Sequence, residues 1–168
     1  MKEFDFHKKS TSVSWDVEEL IPSGTLSFFI SKARVGKSFL AEYLAVCFVY
    51  DKDFLGMKTE PHNVLLIDQD TPKDVLDRRL RAFGNYMRRK GFRQKRKLYV
   101  ESMKGYSLSD GSLIKMIEQD VSVVIIDSLN SVCGKLDVNK TSDMGKLSKL
   151  KSVADGKKFI EVAEKVSR

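Results

Sequence analysis

Ser31-Lys32-Ala33-Arg34-Val35-Gly36-Lys37-Ser38 decides how the rest of the chain is read. An apolar run, Leu26-Ser27-Phe28-Phe29-Ile30, precedes it without a helical period and reads as a buried parallel strand. Phe39-Leu40-Ala41-Glu42-Tyr43-Leu44-Ala45-Val46-Cys47-Phe48 follows and reads as an amphipathic helix. Strand, loop, Gly-Lys-Ser and helix form the context of a phosphate-binding loop, in which backbone N–H groups and the positive helix end cradle phosphates. On this reading the loop from Ser31 to Ser38, with Phe39 after it, surrounds a nucleotide. Lys37 reaches its β/γ-phosphates and the Ser38 hydroxyl holds Mg²⁺. The pattern usually opens with Gly, which lets the chain turn tightly, and Ser31 stands there instead. A chance Gly-Lys-Ser at a strand-to-helix turn is the bland alternative.

Outward from the loop, strands and helices alternate. Residues 1–14 are polar and read as a flexible lead, with the core domain spanning 15–168. An apolar lead-in from Trp15 to Ile21 meets a Pro22-Ser23-Gly24 turn before the first strand. Asn63-Val64-Leu65-Leu66-Ile67-Asp68 is a second buried strand. Thr71 as N-cap, Pro72 at the first helical position and Asp74 in the first turn predict a helix after it. Val75, Leu76, Leu80 and Phe83 form its apolar stripe, and Arg78, Arg79 and Arg81 decorate its other faces. Lys97–Glu101 predicts a third strand, Ser109-Asp110-Gly111 opens another helix, and Val121–Asp127 is a β-branched fourth strand. A loop over 129–141 and a helix over 142–154 complete a pattern that argues for a parallel α/β sheet.

In open α/β sheets, ligands bind beyond the carboxyl ends of the strands. Gly36-Lys37-Ser38, Asp68/Asp70 and Asp127 stand at three such ends. Asp127, after four apolar residues, has the setting of a Walker B acid that orients the Mg²⁺ shell together with Ser38. Asp70, just past its strand, is the candidate base for the attacking water, and Asp68, nearer the sheet, suits a structural acceptor. Lys37, Asp70 and Asp127 are thus the expected catalytic residues, and ATP or GTP is the expected ligand.

At 168 residues the chain suits one domain with a modest core. No apolar run approaches a membrane span, and the charged first residues are no signal peptide. Cys47 and Cys133 have no metal-ligand partners at useful spacing and suit a reducing cytoplasm; His7 and His62 read as exposed. The net charge of +7 is concentrated in residues 88–97, where seven of ten are Lys or Arg. Such a run fits an anionic partner, DNA above all, or else a solvated helix end.

The ordered set Leu20-Ile21-Pro22, Val35-Gly36-Lys37-Ser38, Phe54-Leu55-Gly56, Val64–Asp70, Arg78-Arg79-Leu80 and Val124–Leu129 resembles the RecA-like ATPases, and within them the RepA-type group of replication and mobile elements. Asp143-Met144-Gly145 with Leu147 is similar to the helix after Walker B in that group. The resemblance covers about residues 15–158. It implies a three-layer, mostly parallel RecA-like sheet with the P-loop strand beside the Walker B strand. It also implies Mg-dependent ATP hydrolysis in a homo-oligomer, coupled to work on DNA. Asp70 stands where the family usually has Glu, which implies slow turnover. Only residues 157–168 remain for a fifth strand beside residues 25–30. Phe159, Ile160 and Val162 suit a short strand, and Ala163–Val166 suit a helix as well. Without that strand residues 25–30 are left as an apolar edge, with the following strands and sensor segment unplaced. The ParA/MinD-like partition ATPases are a rival, because Lys32 falls where their signature lysine falls; a degenerate, non-hydrolysing nucleotide-binding module is another.

Overall fold

Two short strands, β1 (Trp15–Val17) and β2 (Ile21–Pro22), form an antiparallel ribbon ahead of the main sheet. The computed structural model describes residues 12–32, 34–102, 104–105 and 120–128, with the backbone of 158–164. The ribbon buries Val17 and Ile21 and also Asp16, whose Oδ1 accepts hydrogen bonds from Ser23 Oγ at 2.7 Å and His62 Nε2 at 3.3 Å. His62 also packs edge-on against Phe48, so it is half-buried rather than exposed. The backbone N–H of Glu60 donates to Asp16, which ties the loop before the second central strand to the ribbon.

The main sheet holds β3 (Leu26–Ser31), β4 (Val64–Asp68), β5 (Leu98–Ser102), β6 (Val123–Asp127) and β7 (Lys158–Glu164), in the order β3-β7-β6-β4-β5. Every pairing in it is parallel. Both β4 and β6 are apolar at each position before their terminal Asp, and both are buried throughout. Val64, Leu66, Val123 and Ile125 join the core beneath α1 (Lys37–Tyr50), while Leu65, Ile67, Val124 and Ile126 are buried on the other face. Continuous apolar strands are what a parallel sheet covered on both sides requires.

Four expectations need correction. The P-loop strand β3 does not lie beside the Walker B strand β6: β7 pairs with both, Phe29 facing Val162 and Ile125 facing Ile160. Strand order depends on which edges remain to be paired, and a segment distant in sequence can satisfy two at once. The strand expected from the last residues therefore forms, but inside the sheet. Second, β3 is not buried along its length, because it is the edge strand of the described sheet, with Phe28 and Ile30 exposed. Third, α1 is not amphipathic: from Ala41 to Tyr50 only Tyr43 is less than fully buried, so the helix is enclosed nearly all round.

The fourth concerns α2 (Lys73–Arg89), which begins one residue later than its cap signals suggest. Pro72 is the N-cap, with an extended ψ of 141°, and its carbonyl accepts the N–H groups of Val75 and Leu76. Asp68 Oδ1 takes the N–H groups of Asp70 and Thr71 at 2.9 and 2.7 Å, closing a turn that delays the helix. The helices expected near 109–119 and 142–154 lie outside the described residues, as do Cys133 and residues 1–11.

The strands β3 and β6 look alike as apolar runs, yet the sheet separates them. Ile125→Ala should cost about 2–5 kcal/mol by urea unfolding, because it empties a fully buried site. Ile30→Ala, at a position 62% exposed, should change stability by less than about 0.5 kcal/mol. Equal costs at the two positions would contradict this placement of the strands.

Candidate functional site

Parallel register sets the site. Asp68 and Asp127 are direct partners at the ends of β4 and β6, and Ser31 ends β3 at the same rim of the sheet. The backbone N–H of Gln69 donates to the Asp127 carbonyl at 2.8 Å, which fastens the two strand ends together. At the base of this rim α1 starts, with Gly36 as its N-cap at φ 93°. Nothing crowds a Cβ at Gly36, but a side chain there would be forced into the left-handed region, so the glycine serves backbone conformation. Arg34 adopts φ 62° in the same loop without that freedom.

Lys37 Nζ donates to the carbonyls of Ser31 at 3.3 Å and Lys32 at 2.8 Å, folding the side chain back over its own loop. Ser38, one residue on, lines the same cleft as Asp127, and its hydroxyl favours the charged form of that carboxylate. Burial pushes the Asp127 carboxyl up to about 6. The Ser38 hydroxyl and Lys37 oppose the rise, and the charges of Asp68 and Asp70 add to it. Asp68 Oδ2 is buried without a hydrogen-bond partner among the described residues. Asp127 gives the cleft an acidic side facing the positive end of α1, with Asp68 buried behind it at the strand ends.

A cleft of about 420 Å³ opens here, lined by Arg34, Gly36, Lys37, Ser38, Phe39, Asp70, Thr71, Arg79, Asp127 and Ser128. Of the expected site residues it gathers Lys37, Ser38, Asp70 and Asp127 from three different elements, with Arg34, Gly36 and Phe39. Ser31 and Val35 line a neighbouring hollow on the β3 side, shared with Gly36 and Lys37. Lys32 is exposed and contributes its carbonyl to Lys37; Ala33 lies outside the described residues. Asp70 is exposed at the cleft, and Asp68 is turned into the β4–α2 turn.

Arg79, Glu42, Thr71 and Ser128 are not among the expected site residues, although in the sequence Arg79 reads as a surface arginine and Thr71 as a helix cap. Arg79 Nη1 donates to Glu42 Oε1 at 3.0 Å, and its guanidinium lies 4.3 Å from the centre of the Phe39 ring. Glu42 was detectable in principle, as the only charged residue between Phe39 and Tyr50, and an acid there demands a partner. Which of the arginines of α2 supplies it is a question of helix packing.

The basic run does not join the site. It spans the end of α2 and the approach to β5, at the amino ends of the strands, whereas the cleft lies beyond their carboxyl ends. Lys95 pairs with Asp51, Lys97 pairs with Asp120 at 2.9 Å, and Arg88 with Asn85. The backbone N–H groups of Lys95 and Arg96 donate to Val49 at the end of α1.

Asp127 binds its proton more tightly folded than unfolded, so its contribution to stability is full below about pH 4 and is lost as pH rises through about 6. Asp127→Asn should therefore raise the urea midpoint of the ligand-free protein at about pH 7.5, by on the order of 2 kcal/mol in stability, and change it little at about pH 4. An equal change at both pH values would show that burial of this charge is not the cause.

The model of the AAA domain family matches residues 2–158. No curated protein matches the chain. Among solved structures, the flagellar accessory protein FlaH from Methanocaldococcus jannaschii is similar, with 15% identity, a TM-score of 0.56 and 86% of this chain covered. The chain spans 62% of the length of FlaH, and at that identity the likeness speaks for the fold alone, which is RecA-like. The match over nearly the whole chain and the parallel sheet with its loop agree: this chain belongs to the AAA-domain family of P-loop ATPases.

Proposed function

We propose that the cleft binds Mg–ATP and hydrolyses it slowly. The observation that carries this reading is the convergence of Lys37, Ser38, Asp70 and Asp127 on one cleft at the positive end of α1. Lys37 exchanges the carbonyls of Ser31 and Lys32 for phosphate oxygens when nucleotide enters. The residues present fit Mg²⁺: the Ser38 hydroxyl and the Asp127 carboxylate line one cleft, and both are hard oxygen donors. Ser38 would hold the ion directly and Asp127 would orient its shell, and the ion would supply neutralising charge to the phosphates.

Asp70 accepts the proton of the attacking water. An aspartate is shorter than the usual glutamate by one C–C bond, about 1.5 Å, and a misplacement of about 1 Å can cost roughly 100-fold. Weak turnover follows from that shortfall.

The wider role proposed is that of a RepA-type ATPase working on DNA as a homo-oligomer in the cytoplasm. Exposed Ile30, Val35 and Phe39 around the loop suit coverage by a neighbouring subunit. Residues 88–97, exposed apart from Phe92, supply phosphate contacts at the end of the sheet remote from the cleft. Contact there would reach the nucleotide only through the body of the fold. Among the described residues no helix is long and apolar enough to cross a membrane.

Lys37→Ala should lower turnover on the order of 10²–10³-fold, by the measure of losing one preorganised donor. Unchanged turnover and unchanged binding of labelled ATP would remove the assignment. Asp70→Asn should abolish hydrolysis while retaining ATP, and Asp70→Glu should quicken it; normal hydrolysis by Asp70→Asn places the base elsewhere. DNA affinity should fall steeply with salt and show little sequence preference. Neutral substitutions at Arg89, Lys90, Arg93 and Arg96 that leave affinity intact would separate the basic run from DNA.

A further inference from the structure

The ion pair between Arg79 and Glu42 is poorly explained as a source of stability. Glu42 is 2% exposed in its side chain and projects from a helix that is otherwise apolar from Phe39 to Tyr50. Burial pushes its carboxyl up to about 6 even with the Arg79 guanidinium opposing the rise. Its second oxygen is buried without a hydrogen-bond partner among the described residues. A buried pair with an orphaned oxygen is commonly no more stable than apolar residues of the same volume. What the pair does achieve is geometric. Arg79 is fixed at 3.0 Å by Glu42 and flanked at 4.3 Å by Phe39, whose ring meets Phe83 edge-on.

The guanidinium carries five donors in a rigid fork, and the pair with Glu42 engages one nitrogen. Arg79, 27% exposed in its side chain, lines the cleft with Asp70, Thr71 and Asp127. Gly36 and Lys37, where a phosphate chain meets the helix end, belong to α1, whereas Arg79 comes from α2. From these positions we infer that Arg79 binds the terminal phosphate of a nucleoside triphosphate and that Glu42, with Phe39, is the positioning residue that aims it. This rests on the nucleotide-binding reading above. A planar, permanently charged fork matches a phosphate's oxygens, which a lysine at the same place would not reproduce.

The test is equilibrium binding of a fluorescent diphosphate and a fluorescent non-hydrolysable triphosphate of adenosine, each with Mg²⁺. Arg79→Ala should weaken the triphosphate roughly 10- to 100-fold, the worth of a charge-assisted contact. The diphosphate should change by less than about threefold. Because Arg79→Ala strands a buried acid, the double variant Glu42→Leu/Arg79→Leu is measured as well and should show the same selective loss. Glu42→Gln, which keeps an acceptor for the guanidinium, should retain the preference for triphosphate, and Glu42→Leu should lose most of it. Arg79 variants that bind both nucleotides as the wild type does, or that lose both equally, overturn the proposal and leave nucleotide binding standing. A wild-type protein that binds neither nucleotide overturns both.

Discussion

The side-by-side register of β4 and β6 is the constraint on which the rest of the site depends. It places Asp68 and Asp127 as direct partners at one rim of a buried sheet. Two carboxylates so placed repel each other and lose water, and each must be answered from outside its own strand. Asp68 is answered by the N–H groups of Asp70 and Thr71, and that answer shapes the turn into α2. Asp127 is faced by Ser38 in the first turn of α1, and the Ser38 hydroxyl favours the charged carboxylate. The turn after Asp68 and the first turn of α1 thus face each other as walls of the cleft.

The cleft is assembled against the grain of stability. Asp127 and Glu42 both hold their protons more tightly in the folded chain than carboxyls usually do, and burial is the first cause in each. Arg34 occupies a left-handed conformation that glycine would accept more readily. Apolar replacements of the two acids and a glycine in place of Arg34 would relieve these costs, and the core of the sheet lies elsewhere, in β4, β6 and α1. Ionisable groups held in unfavourable surroundings at one end of a well-packed sheet are what a binding site looks like when the scaffold supports it. Its supports are Glu42 behind Arg79, the Asp68 turn behind Asp70, and the end of β6 beside Ser38.

Much of this was legible because the signals are local. Gly36-Lys37-Ser38 between an apolar strand and an apolar helix is a contiguous pattern, and β4, β5 and β6 fall within about two residues of where apolar runs place them. Asp127 and Asp70 are recognisable because strand ends in a parallel sheet all point to one rim. The one acid inside α1 was visible too, but its partner was not. Arg78, Arg79 and Arg81 are equivalent in sequence, and only the packing of α2 beside α1 selects Arg79.

The sequence by itself determined the alternation of strands and helices, the phosphate-binding loop and the acids at the strand ends, since each depends on residues near one another in the chain. Tertiary structure decided the order of the strands, because pairing edges are shared between segments far apart: β7 lies between β3 and β6 and leaves β3 at the edge of the described sheet. It decided that α1 is enclosed rather than amphipathic, since burial depends on what packs around a helix and not on the helix alone. And it decided that the basic run sits at the far end of the sheet from the cleft, because a parallel strand and the helix that follows it run in opposite directions, so the end of α2 returns to the rim where β5 begins.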